Sequence, residues 1–148
     1  MTSLPPLATE PIRILLVDAD PAVRFAFADY LRSQRFVVDT AGSDIAAELR
    51  LRRARYHAVI SDLTLEQQDA PGGLVLARQV RLLAPETVIC LLARPADPVV
   101  MQEAERLADV VLLRPRPLAD IAQIVLALVA RPAARTAAHP GVASPATS

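Results

Sequence analysis

The sequence predicts an α/β fold, five short strands alternating with five amphipathic helices and forming a parallel sheet covered on both faces. Three observations carry this. Apolar runs of four to seven residues, rich in branched side chains, recur along the chain, and each has the length of a buried strand rather than of a membrane span. The stretches between them place apolar residues at helical spacing and open on cap residues or prolines. The alternation is unbroken, and crossover helices between parallel strands accommodate such an order.

The elements follow in order. IRILLV (12–17) is the first strand, and Pro21 opens a helix in which Val23, Phe27, Tyr30 and Leu31 recur at helical spacing. FVVDT (36–40) is the second strand, and Ser43 caps a helix to about Arg55, with Ile45, Leu49 and Arg53 on neighbouring turns. HAVISD (57–62) is the third strand. A polar loop, LTLEQQDAPGG, with Pro71-Gly72-Gly73 read as an exposed turn, leads to the helix GLVLARQVRLL, which stops before Pro85. TVICLLA (87–93) is the fourth strand, and Asp97-Pro98 caps and opens the helix VVMQEAERL. VVLL (110–113) and LADIAQIVLALVA complete the set. In that last helix Ile121, Ile124, Val125, Leu128 and Val129 cover more than one buried stripe needs, so apolar surface open to self-association or a partner is expected there.

Composition narrows the functional classes. The chain has 148 residues, about one domain, with sixteen basic and sixteen acidic residues, so no net field favours nucleic acid or an anionic membrane. The single cysteine, Cys90, lies in an apolar strand and reads as a buried inert thiol. Residues 1–10, with Pro5-Pro6, read as a flexible arm and 132–148 as a disordered tail of Ala, Pro, Ser and Thr, flanking a domain at 11–131. Nothing suggests export, which points to the cytoplasm, and no DNA-binding or other second domain is expected after the fifth helix. His57 and His139 have no catalytic partner in view. VDADPAVR stands where a Gly-rich phosphate loop would be, which speaks against a nucleotide-binding enzyme.

In a parallel sheet all the carboxyl ends of the strands share one edge, where ligands bind. Here that edge collects Asp18, Ala19 and Asp20, then Asp62, then Leu92 and Ala93, then Arg114 and Pro115. Acids and a cation so gathered suit a divalent metal with oxygen ligands and a phosphoryl group beside it.

At these residues the sequence resembles the receiver domains of bacterial two-component response regulators. ILLVDADPAVR, HAVISDLTL, VICLLA and ADVVLLRPRPLADI match that family's motifs in order and spacing over nearly all of 11–131. The resemblance implies a flavodoxin-like doubly wound sheet with strand order 2-1-3-4-5. It implies Asp62 as phosphoacceptor, magnesium held by Asp18 and Asp62, and Arg114 at the family's lysine position, before a cis proline bond at Pro115. It also implies a histidine kinase or other signalling protein as partner, acting through the fourth helix, fifth strand and fifth helix, with a homodimer as a further expectation.

Several positions depart from the family pattern. Ala19 replaces an acid that touches the metal, so weakened magnesium binding is expected. Asp20 either turns inward as a substitute ligand or caps the next helix, the simpler role for an aspartate directly before Pro21. Leu92 lacks the hydroxyl that contacts the phosphoryl group, Val111 lacks the aromatic switch, and Arg114 is forked where the family has lysine. The loop after Asp62 is longer than usual and carries Glu66 and Asp69. A receiver with weak or absent phosphorylation is therefore the leading expectation, a phosphorylation-independent interaction module the alternative. A metal-assisted hydrolase is the weakest class, for want of a water-activating base.

Overall fold

The computed structural model describes residues 10–65 and 71–131. In chain order these form β1 (Arg13–Val17), α1 (Pro21–Ser33), β2 (Val37–Ala41), α2 (Asp44–Arg53), β3 (Ala58–Asp62), α3 (Gly72–Leu83), β4 (Val88–Ala93), α4 (Pro98–Leu107), β5 (Val110–Leu113) and α5 (Leu118–Val129). The strands make one parallel sheet in the order β2-β1-β3-β4-β5, the flavodoxin-like arrangement that the resemblance implied. Most of the expected arm, the tail with His139, and the loop acids Glu66 and Asp69 lie outside the described residues.

Strand alternation divides the core in two. Ile14, Leu16, Ile60, Cys90 and Leu92 pack with Phe27 and Leu31 of α1 and Ile121 and Val125 of α5. Leu15, Val17, Val59, Ile89 and Leu91 pack on the other face with Ala47 and Leu51 of α2, Leu76 and Val80 of α3, and Ala104 of α4. Each fully buried Leu or Ile contributes about 1.5–3 kcal/mol, so the central strands are held from both sides and their ends form a rigid edge. Helix entry is set by side-chain caps. Asp20 accepts from Ala22 and Val23, Ser43 from Ala46, and Asp97 from Val99, with Pro21 and Pro98 in the first turns of α1 and α4. Among the described residues no helix is long and apolar enough to cross a membrane.

Three local readings of the sequence are corrected. α2 ends at Arg53 rather than near Arg55, because Ala54 is already extended. Its bulky Ile45 and Leu49 face outward, 68% and 52% exposed, while Ala47 and Leu51 are buried. Both pairs have the same four-residue spacing, and the smaller Ala47 lets α2 approach the sheet closely. Gly72 and Gly73 are not an exposed turn: both are buried in the first turn of α3. A Cβ on Gly73 would lie 2.6 Å from both the Asp62 carbonyl oxygen and the Leu63 Cα, so glycine lets α3 press against the end of β3.

Candidate functional site

The carboxyl edge is organised by backbone bonds one step beyond each strand. Asp18 N–H donates to the Ala41 carbonyl (3.1 Å), Leu63 N–H to that of Leu92 (2.8 Å), and Arg114 N–H to that of Ala93 (2.7 Å). Gly73 N–H donates to the Leu63 carbonyl at 2.9 Å. The backbone beside Asp62 is thus pinned by β4 on one side and by α3 on another. The Arg114–Pro115 bond is cis, as the resemblance implied.

The structure brings Asp18, Asp62 and Arg114 together. A terminal guanidinium nitrogen of Arg114 lies 3.3 Å from Asp18 Oδ2, and its Nε lies 3.4 Å from Asp62 Oδ1. The Asp18 side chain is buried, and its Oδ1 accepts the Asp20 N–H at 2.9 Å. Burial pushes the Asp62 carboxyl above the ordinary range; Arg114 opposes this, Asp18 adds to it, and Arg94 and the Leu63 N–H oppose it further. Asp20 does not join the group: its Oδ1 is taken by the N–H groups of Ala22 (2.9 Å) and Val23 (3.3 Å), so the cap reading holds.

Leu92 and Val111 supply no polar contact. Leu92 stands opposite Asp62 in register and is buried on the α1–α5 side, whereas Val111 pairs with Leu91 and packs on the other face of the sheet. His57 lies before β3, where its Nδ1 accepts the Arg13 N–H at 2.9 Å, a structural role. Cys90 is fully buried, and burial pushes its thiol up to about 12.

Sequence reasoning missed two residues at this edge. Arg24 donates to the Asp18 carbonyl at 2.6 Å. Its position four residues after the cap, one turn into α1, brings it back to the strand end, and that spacing was the available signal. Gly73 was the other, since the adjoining glycines before an apolar helix mark a close backbone approach.

A family model described as the response regulator receiver domain matches residues 14–126. The chain belongs to the response regulator receiver domain family. A solved receiver domain protein from Methanospirillum hungatei is similar to it with a TM-score of 0.76 at 17% identity, over 85% of this chain and 99% of that one. A response regulator from Thermotoga maritima, solved in complex with Mg2+ and BeF, gives a TM-score of 0.68 at 24% identity, over 79% of this chain and 98% of that one. A protein-glutamate methylesterase/protein-glutamine glutaminase of Anaeromyxobacter dehalogenans is 33% identical over 106 residues, 70% of this chain. This receiver domain spans 30% of that protein's length.

Receiver domains typically bind Mg2+ at the phosphorylation site, so the fit of that ion to this receiver domain's residues can be tested. A hard cation wants several oxygens around an open position. Ala19 offers none from its side chain, Asp20 is committed to its cap, and the Arg114 guanidinium spans the two remaining carboxylates. Among the described residues no group of three or more His, Cys, Asp or Glu is placed to hold a metal. The described residues do not fit the ion.

Proposed function

We propose that this receiver domain acts in two-component signalling, with Asp62 as phosphoacceptor and with weak or absent phosphorylation. The observation that carries the reading is the cluster of Asp62, Asp18 and Arg114 at the strand ends, which keeps a carboxylate and a cation side by side while, among the described residues, no third metal-ligating side chain joins the two acids. Transfer forms a bond from an Asp62 carboxylate oxygen to phosphorus and breaks the bond to the donor's leaving group, such as the imidazole of a kinase phosphohistidine. Without a metal to neutralise the phosphoryl oxygens, that attack is slow.

A specific observation also favours the alternative, an interaction module independent of phosphorylation. Leu92 has no hydroxyl to contact a phosphoryl oxygen, and Val111 is a β-branched residue on the opposite face of the sheet. A ligand shifts an equilibrium only by its differential affinity for two states, and neither residue provides one. In both readings the partner, a histidine kinase or another signalling protein, meets α4, β5 and α5, where Val99, Leu113 and Leu126 are exposed. The same apolar face suits a homodimer.

Incubation with acetyl phosphate and magnesium, followed by intact-mass measurement, separates the two. A slow gain of one phosphoryl group that disappears in Asp62→Asn supports the switch. No gain at any magnesium concentration refutes it and leaves the interaction module.

A further inference from the structure

The misfit between this pocket and a divalent cation has a structural cause beyond the loss of one acid. We propose that Arg114 is the resident cation of the pocket: its guanidinium compensates Asp18 and Asp62 in place of a metal and closes the site to magnesium.

The geometry supports this atom by atom. Two separate prongs of one planar group reach the two carboxylates, at 3.3 Å to Asp18 Oδ2 and 3.4 Å to Asp62 Oδ1. A lysine ammonium is a point charge and lacks such a fork. Each oxygen of Asp18 already has a donor, Oδ1 the Asp20 N–H and Oδ2 Arg114, so a metal would have to share or displace them. Arg114 Nε is shut off from solvent and has no hydrogen-bond partner among the described residues, which leaves it committed to the ion pair with Asp62. The Arg114 side chain is 22% exposed, so the charge sits within the edge rather than in solvent. Magnesium sheds its water reluctantly and demands near-octahedral oxygens. It would have to displace a covalently tethered cation to enter. The inference stands whether or not Asp62 accepts a phosphoryl group.

Magnesium titration of the full chain tests it without any phosphoryl donor, followed by the amide NMR signals of Asp18, Asp20 and Asp62 and by thermal unfolding. The wild type should show no saturable shift and no magnesium-dependent melting temperature. Arg114→Met removes the charge and keeps the stem; it should melt lower, recover in part on adding magnesium, and bind the ion at least about tenfold more tightly than the wild type. Should that variant not fold, Arg114→Lys keeps a charge without the fork and should show the same gain in affinity. Ala19→Asp combined with Arg114→Lys should bind magnesium more tightly than either single variant. Saturable magnesium binding by the wild type with an affinity equal to that of the Arg114 variants would overturn the proposal. So would Arg114 variants that melt like the wild type and gain no magnesium binding.

Discussion

Replacing Gly73 by alanine tests how the end of β3, which carries Asp62, is held. The added methyl would sit 2.6 Å from the Asp62 carbonyl oxygen, 2.6 Å from the Leu63 Cα and 2.7 Å from the Leu63 carbonyl oxygen. Relaxed contacts between such atoms lie near 3.5 Å, so the first turn of α3 must retreat by close to an ångström. All three neighbours are backbone, and none can rotate aside. The retreat lengthens the 2.9 Å bond from Gly73 N–H to the Leu63 carbonyl past a useful distance, a loss of about 1 kcal/mol. Overpacking adds about 1–3 kcal/mol, against a helix-propensity gain for alanine of at most about 1 kcal/mol. The clash wins, and the net destabilisation is about 1–3 kcal/mol, a fall of roughly 3–12 °C in Tm for a domain of this size. Thermal unfolding measures this, and amide shifts at Asp62 and Leu63 report the local displacement. Gly42→Ala is the milder comparison: its Cβ meets only the Arg24 guanidinium, at 3.1 Å and beyond, a side-chain end that can shift by a few tenths of an ångström while straining its bond to the Asp18 carbonyl, so its loss of Tm should be smaller than that of Gly73→Ala. An unchanged or raised Tm for Gly73→Ala, with the Asp62 and Leu63 amides in place, would refute the reasoning.

Three further outcomes are expected. Because the folded-state Asp62 carboxyl is raised above its ordinary 3.8, its titration favours the fold at low pH, and that contribution is lost as pH rises through the raised value. Asp62→Asn should therefore melt higher than the wild type at neutral pH, with the advantage shrinking toward pH 4; a lower Tm at neutral pH contradicts this. Tyr56 donates to Asp39 Oδ2 and its hydroxyl is pushed up to about 12 by burial and that carboxylate. Its stabilising contribution is complete below the ordinary 10.0 and lost as pH rises through about 12, so the phenolate absorbance missing from Tyr56→Phe should appear near 12 rather than near 10. The Cys90 thiol should resist a thiol-specific dye in the native protein and react on unfolding; prompt native labelling would show that β4 opens.

Much of the fold was legible because its signals are local. The caps Asp20, Ser43 and Asp97 lie next to the turns they start, and β4 is apolar throughout, β1 and β3 all but at their ends, because both their faces are buried. The edge that gathers Asp18, Asp62 and Arg114 also followed from topology, since parallel strands end on one side. What sequence could not supply was distance. Ile45 and Ala47 both fit a helical stripe, and only the closeness of α2 to the sheet selects the smaller residue. The paired glycines hint at a close backbone approach, but not that the Asp62 carbonyl is what lies where the Gly73 Cβ would be. Arg114 is 96 residues from Asp18, and whether its fork reaches one carboxylate or two depends on where β5 ends.

The departures at the edge make sense as one change in charge rather than as scattered losses. An acid at position 19 would bring three carboxylates within reach of a divalent ion; with Ala19 two remain, and a single guanidinium can span both. Arg24, bonded to the Asp18 carbonyl, and Arg94, acting on Asp62 through space, add positive charge around the pair. Even so, the Asp62 carboxyl stays above its ordinary range, because desolvation outweighs what those arginines return. A carboxylate in that condition is more basic, and so intrinsically more nucleophilic, than one neutralised by a metal. On the proposed reading, Arg114 could serve the oxygens of an incoming phosphoryl group only by loosening its hold on Asp18 or Asp62. If Asp62 is the phosphoacceptor, as proposed, phosphorylation there and retention of the ion-paired cluster would compete for one guanidinium, a cost that is separate from the missing acid at position 19.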